Sequence, residues 1–474
     1  MVTIGDRTTS STFDEETIQA LRASLRGELI LPGEPAYDEA RRVHNGMIDK
    51  HPALIARCAD VADVIAAVNF AREHDVLLAV RGGGHNGPGL GTCDDGLVID
   101  LARMNGIRVD PIARTVRVEG GCTLADVDHA THAFGLAVPL GIASTTGVAG
   151  LTLGGGMGHL TRKYGLTIDN LLEVDMVLAD SRFVTANADA HADLFWAIRG
   201  GGGNFGVVTS FLFRLHPVST VYAGPMFWHL DQAEDVLRWY GEFQTGSPEE
   251  LNGSLMMISV PPGPPFPEAL HNRTVCAIVW CYAGPLEQAE AVFAPIRAEF
   301  GPPALDWVGP MPFPALQSMF DAVFPRGIQM YWRADFVKDL PDAANALRAE
   351  YAARKPVGAS LIGLHPIDGA ASRIGSGATA WSYRDARWAE VFLGASLGPA
   401  DNGRIVGWAR ESWGALHPFS AGGAYVNFMM EEGGDRVRAA YRGNYDRLAQ
   451  IKATYDPANL FRVNQNIRPA DPAS

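Results

Sequence analysis

In "DVADVIAAVNFAREHDVLLAVR" (60–81) the apolar residues Val61, Val64, Ile65, Val68 and Ala71 recur at helical spacing behind Asp60, which is placed as an N-cap. The pattern then changes to a continuous apolar run, which predicts a buried strand from Val76 to Val80. "LVIDL" (97–101), "GIRVD" and "TVRVEGG" predict further strands, the last with Val116 and Val118 alternating against Arg117 and Glu119 as on a one-sided sheet. "TLADVDHATHAFG" opens with Thr123 and Asp126 in capping-box spacing and closes at Gly135, where a C-cap glycine belongs. From about His216 to residue 420, helices such as "AEDVLRWYGEFQ" and "LEQAEAVFAPIRAEF" alternate with strands such as "SLMMISV" and "TVCAIVWCYAG", and "PPGPPFP" reads as a loop between them. The pattern is that of an α+β protein with a second domain starting near residue 216, and no internal repeat is visible.

Glycine-rich stretches punctuate the first half: "VRGGGHNGPGLG", "GVAGLTLGGGMGHL" and "IRGGGGNFGVV". Two of them contain G-x-G-x-x-G, at Gly82, Gly84 and Gly87 and at Gly201, Gly203 and Gly206. A dinucleotide fold would place a helix directly after such a loop, because the helix N-terminus binds the pyrophosphate. After Gly87 the chain reads Pro88, Gly89, Gly91 and then a strand, and after Gly206 it is β-branched and aromatic, so neither loop opens a helix. What remains is the capacity of consecutive glycines to turn backbone N–H groups toward an anion as a nest, with simple tight turns as the alternative for any one of them.

Composition narrows this picture. The chain has 474 residues, 47% apolar and 19% charged, enough for two or three cored domains. A formal charge of −14 without a Lys/Arg cluster argues against a nucleic-acid partner. Cys58, Cys93, Cys122, Cys276 and Cys281 have no C-x-x-C spacing, so neither a metal site nor a disulfide framework is indicated. The N-terminal stretch lacks a basic start followed by an apolar segment, and no apolar run approaches ~18 residues. The expectation is a cytoplasmic protein with no membrane partner.

The strand followed by "RGGGHN", the "LGGGMG" followed by "RKYGLTIDN", "LFWAIRGGGGNFGVVT" and a terminal "YDPANLF" together resemble the FAD-linked oxidases of the vanillyl-alcohol-oxidase fold, specifically the berberine-bridge-enzyme-like group. The resemblance covers nearly all of residues 50–215 and 420–474 and is weakest in the centre. It implies a two-part FAD-binding domain, residues 1–215 and 421–474, around a substrate domain, 216–420, built on an antiparallel sheet with covering helices. It makes His85 the site of covalent FAD attachment, with a loop histidine bonding the pyrophosphate as the alternative. Some relatives add a second, cysteinyl link, but Ala143 stands at that position, which implies a single bond as in bacterial members that oxidise hydroxylated nicotine.

By the same resemblance, backbone amides of Arg81, Gly82, Gly83, Gly84, His85, Asn86 and Gly87 hold the pyrophosphate. A second set spans Thr145, Thr146, Gly147, Gly150, Gly154, Gly155, Gly156 and Gly158. Gly203, Gly206 and Val208 cradle the adenine end. Asp169 and Asn170 line the same cofactor, or serve only as a turn or cap.

In the Y-x-N element, Tyr425 and Asn427 face the substrate, and on a strand residues two apart share a face. Tyr425 would accept the substrate's proton while a hydride leaves carbon; a core tyrosine with a satisfied hydroxyl is the other reading. Trp381 and Tyr383 alternate as on a strand and would wall the pocket, Tyr383 with a role in the reaction, near His365, Asp368 and Arg384. An ordinary core explains them as well. Asn464 and Gln465 belong near the ring or in a terminal turn.

The implied activity is an oxidase for a small organic alcohol, hemiacetal or amine, with O2 as acceptor. Thr146, small and β-branched where relatives govern oxygen access, favours this over a flavin dehydrogenase with another acceptor. A flavin-binding protein without chemistry is the third reading. No metal is implied.

Overall fold

The computed structural model describes residues 13–471. Residues 1–12 and 472–474 lie outside it, and with them part of the N-terminal stretch on which the expectation of no leader rests and the outer ends of the first and last expected spans.

The helix expected behind Asp60 runs Val61–Glu73, and the Asp60 carboxylate accepts the N–H groups of Ala62 and Asp63. Val64, Val68 and Ala71 are buried on its inner face. It leads into the strand Leu78–Arg81, which begins and ends slightly later than the apolar run suggests because Arg81 continues the ladder opposite Asp100. That strand and Leu54–Arg57 both pair in parallel with Leu97–Asp100, and Glu28–Ile30 closes the sheet antiparallel at one edge. A second sheet is antiparallel throughout, in the order 107–110, 115–119, 207–214, 171–177, 183–187. The capping box at Thr123 forms as read, and Gly135 takes a φ of +67° just past that helix.

The centre of the chain builds an eight-stranded antiparallel sheet from strands between Thr220 and Ser396. Helices Ala233–Gly246, Asp342–Ala353 and Asn402–Leu416 cover one face over a core that includes Trp228, Trp280 and Trp388. The other face looks toward the glycine loops. Among the described residues, no helix is long and apolar enough to cross a membrane, and no cluster of His, Cys, Asp or Glu is arranged to hold a metal ion.

After Leu416 the chain returns to the first sheets, and Ala440, Tyr441, Leu448 and Ile451 join the core formed by residues of the five-stranded sheet. The "YDPANLF" motif makes this return rigid. Asp456 accepts the N–H groups of Leu460 and Phe461 and pairs with Lys452 at 2.6 Å, both side chains fully buried. Lys452 also donates to the carbonyls of Phe461 and of Asn204, so the motif is tied to the third glycine loop.

Two expectations are corrected. Residues 378–387 form turns and irregular backbone instead of a strand, so alternation does not put Trp381 and Tyr383 on a common face. Asp169 does not face a ligand: it accepts both terminal nitrogens of Arg384 at 2.7 and 2.8 Å, each side chain 3% exposed. Its neighbour Asn170 donates to the carbonyls of Tyr164 and Leu166 and meets His216. Removing one partner of a buried pair leaves the other charge uncompensated. Asp169→Asn should therefore lower the unfolding free energy by about 3–5 kcal/mol in urea titration. A loss under about 1 kcal/mol would mean that the pair does not brace the two segments.

Candidate active site

Between the glycine loops and the open face of the eight-stranded sheet lies a cavity of about 390 Å³. The loop after Arg81 and the loop 141–147 form one wall, and their backbones touch. A Cβ on Gly83 would lie 2.6 Å from Gly147 Cα, and one on Gly147 would lie 2.7 Å from Gly83 Cα. Side chains at either position would force the loops apart. The backbone N–H groups of Gly82 through Asn86 have no acceptor among the described residues. Arg81 itself anchors the loop by pairing with Asp100 at 2.9 Å below the cavity.

His85 is half-buried because one edge faces the cavity, yet protein packs closely around the rest of the ring. Burial is the first cause that pushes its pKa down to about 3, and the neighbouring His44 adds to it. The His44 ring stacks on it at 3.9 Å. A hydrogen bond to the Thr145 backbone favours the N–H form of one ring nitrogen. The imidazole is thus neutral at physiological pH, with the other nitrogen's lone pair available.

Tyr425 is 3% exposed and caps a 3-10 turn, Val426–Phe428, in place of the expected strand. The turn still brings Tyr425 and Asn427 together. The Tyr425 oxygen accepts the Asn427 side-chain N–H at 2.7 Å and the Gly156 backbone N–H at 3.1 Å. Carbonyls of Gly150 and Leu151 hold the same Asn427 amide, which fixes its orientation. Gly156 presents its N–H from a φ of +76°, a backbone region that favours glycine. Burial raises the phenol's pKa to about 12, and its two donors pull in the opposite direction.

Arg81, Gly82, Gly83, Gly84, His85, Asn86, Thr145, Thr146, Gly147, Gly150, Gly158, Gly203, Gly206, Val208, Asn464, Tyr425 and Asn427 all line this cavity, as does Gln465. Gly87, Gly154, Gly155, Gly156, Asp169, Asn170 and Tyr383 do not. Gly87 packs against the Trp332 ring, Gly154 against Asn427 and Gly155 against Trp381, so these glycines permit close packing behind the wall. Tyr383 donates its hydroxyl to the Ala439 carbonyl at 2.9 Å under the Arg442 guanidinium, and this placement removes it from the reacting groups. Asp368 pairs with Arg162 at 2.7 Å and is likewise outside. Sequence reasoning missed His44, Asp321 and Ser254, which come from segments with no glycine motif. It named His365 without a role, although the alternation in "LIGLHP" puts it on the face of Leu361.

The N-terminal part, residues 52–187, matches the family model "FAD binding domain", and residues 424–468 match "Berberine and berberine like". Over 453 residues the chain is 32% identical to an FAD-linked oxidoreductase of Dictyostelium discoideum, covering 94% of this chain and 95% of the relative. The chain belongs to the berberine-bridge-enzyme-like FAD-linked oxidoreductases. It is also 31% identical to (R)-6-hydroxynicotine oxidase of Paenarthrobacter nicotinovorans over 465 residues, covering 94% and 97% of the two chains. The crystal structure of 6-hydroxy-D-nicotine oxidase from Arthrobacter nicotinovorans superposes with a TM-score of 0.84 at 26% identity, covering 94% of this chain and 99% of that one. The fold is therefore the vanillyl-alcohol-oxidase fold, and the protein is an FAD oxidoreductase.

The residues fit the cofactor of that family. The row of unpaired N–H groups from Gly82 to Asn86 suits a pyrophosphate. Asn464 donates to the Gly203 and Phe461 carbonyls while its own side-chain oxygen is buried without a partner at the cavity wall, ready for a donor on a ligand. Gly83→Ala should lower the FAD bound per purified chain at least tenfold and destabilise the fold by about 1–3 kcal/mol. Gly150→Ala, where a Cβ meets nothing within 4 Å, should leave folding intact. Full FAD content in Gly83→Ala, read from visible absorbance, would show that the two loops need not touch.

Proposed function

We propose that this protein is an FAD-dependent oxidase that removes a hydride from a carbon bearing an alcohol, hemiacetal or amine of a small organic substrate, with O2 as electron acceptor. The observation that supports it best is convergence: His85 and Tyr425, far apart in sequence, face the same cavity with Asn427 beside them. When bound, FAD supplies a two-electron acceptor that takes the hydride and passes the electrons to O2 as H2O2.

We assign residues 1–215 and 421–474 to cofactor binding and 216–420 to the substrate side. Amides of the loops at 82–86 and 145–147 hold the cofactor's phosphates, and Gly203, Gly206 and Val208 its adenine end. His85 is its single covalent anchor, because a neutral imidazole lone pair is a nucleophile and Ala143 offers no sulfur for a second bond. Thr146 lines the cavity wall, and its small β-branched side chain favours O2 as the acceptor.

The proton balance falls to Tyr425. Two N–H donors occupy its oxygen, so its own proton has no acceptor among the described residues and is left to a ligand. The same donors stabilise the phenolate, which takes up the proton of the substrate's O–H or N–H and becomes the phenol as the hydride leaves carbon. Asn427 positions the phenol and is itself fixed by Gly150 and Leu151.

Because burial holds the Tyr425 pKa above its ordinary value, at about 12, the phenolate is the minority form across the accessible range and grows as pH rises toward that value. Anaerobic loss of flavin absorbance on mixing with substrate should accelerate by about tenfold per pH unit above neutrality. Tyr425→Phe should slow it by about 10²–10⁴ and flatten that slope, with FAD content unchanged. Wild-type rates in the variant, or the same pH slope, would remove Tyr425 from proton transfer. Peroxide formed in step with substrate consumed under air would distinguish the oxidase from a dehydrogenase.

A further inference from the structure

The wall opposite the glycine loops is one face of the eight-stranded sheet, and it is almost wholly apolar, formed by Met256, Trp332, Leu361, Val391 and Leu393. Ser254 and His365 interrupt it. Leu255 pairs with Leu364 and Met256 with Gly363, so one step along the ladder sets Ser254 beside His365. Cross-strand neighbours share a face, so both side chains point the same way as Met256, into the cavity.

Ser254 is 3% and His365 5% exposed, and neither has a hydrogen-bond partner among the described residues. Native interiors pair such groups, so two adjacent unpaired ones on a cavity wall point to a ligand. Gly363 lies between His365 and Val391 and keeps the floor open, since a Cβ there would sit 3.3 Å from each. His159, also buried, has both ring nitrogens unpaired, and a proton on His365 opposes one on His159. Burial holds both imidazoles uncharged, at about 4 for His365 and about 3 for His159.

We propose that His365, with Ser254 beside it, is the specificity-determining subsite of this enzyme, and that it binds a neutral N–H or O–H carried on a flat, otherwise apolar ring. This rests on reading the cavity as the substrate site. A neutral imidazole and a serine hydroxyl each offer one donor and acceptor capacity, enough to hold a single polar handle. The sheet face itself presents no charged side chain to hold an ionic group; Asp321 lines the cavity from a turn outside the sheet, and its carboxylate accepts both the backbone N–H and the hydroxyl of Ser144. A sugar ring carries hydroxyls on every edge, and most of them would be stranded against Met256, Leu361, Val391 and Leu393.

Calorimetric titration of the FAD-loaded protein with indole, with benzofuran as its isostere lacking the N–H, and with cellobiose tests this. Indole should bind at least about tenfold tighter than benzofuran, and cellobiose should not bind measurably. His365→Leu should bring the indole-to-benzofuran ratio to within about twofold, whereas His365→Gln, which keeps a donor and an acceptor, should retain most of it. Ser254→Ala should fall between, and thermal melting identifies any variant that fails to fold. An unchanged ratio in folded His365→Leu, no binding of indole by the wild type, or cellobiose binding tighter than indole would each overturn the proposal. The ratio does not depend on turnover. Discrimination retained without peroxide formation would defeat the oxidase reading alone, and peroxide formation without discrimination would defeat only this subsite.

Discussion

Two backbone loops touch at Gly83 and Gly147, and the geometry of the cavity depends on that contact. Neither position has room for a Cβ, because the atoms it would meet are backbone atoms of the other loop. This close approach leaves the N–H groups from Gly82 to Asn86 unpaired and places the His85 ring beside the Thr145 backbone. It also leads directly into the helix Val148–Gly154, whose following turn carries Gly156 to the Tyr425 hydroxyl. Cofactor wall and reacting side are therefore set by one constraint, and the buried Lys452–Asp456 pair holds the C-terminal return against it.

Charge is managed by position. The buried ion pairs Arg162–Asp368 and Arg384–Asp169 stand outside the cavity lining, and Arg81, which does line it, is paired with Asp100, so each of these charges has a partner. Among the groups that face the cavity, His85, His365 and Tyr425 are uncharged at neutral pH because burial disfavours their ionised forms, and the Asp321 carboxylate is held by the Ser144 N–H and hydroxyl. A site of this kind can hold a neutral imidazole and a neutral phenol side by side on its walls.

The local features of this fold were legible in the sequence because their causes are local. Asp60 and Thr123 cap helices through their own side chains, and the glycine loops announce close backbone approach by composition. The failures share one cause. Alternation at Trp381 and Tyr383 looks like a strand, but a strand exists only where a partner offers its ladder, and residues 378–387 have none. Asp169 sits beside a glycine motif and looks like part of it, yet its role is set by Arg384, 215 residues away. His44 stacks on His85 from a segment without any motif, and Ser254 meets His365 only through sheet register. Alternation on a strand would pair Tyr425 and Asn427; a 3-10 turn pairs them instead, with the Asn427 amide held by the Gly150 and Leu151 carbonyls of the helix Val148–Gly154.

The account turns on His85 as a neutral, cavity-facing nucleophile that carries the cofactor we propose for it. Peptide mapping by mass spectrometry of acid-denatured, proteolysed wild-type protein tests this most directly. The predicted result is that the fragment containing His85 carries the mass of one FAD and that no other fragment does. Recovery of that fragment unmodified, with the FAD free in the acid supernatant or attached to another residue, would contradict it.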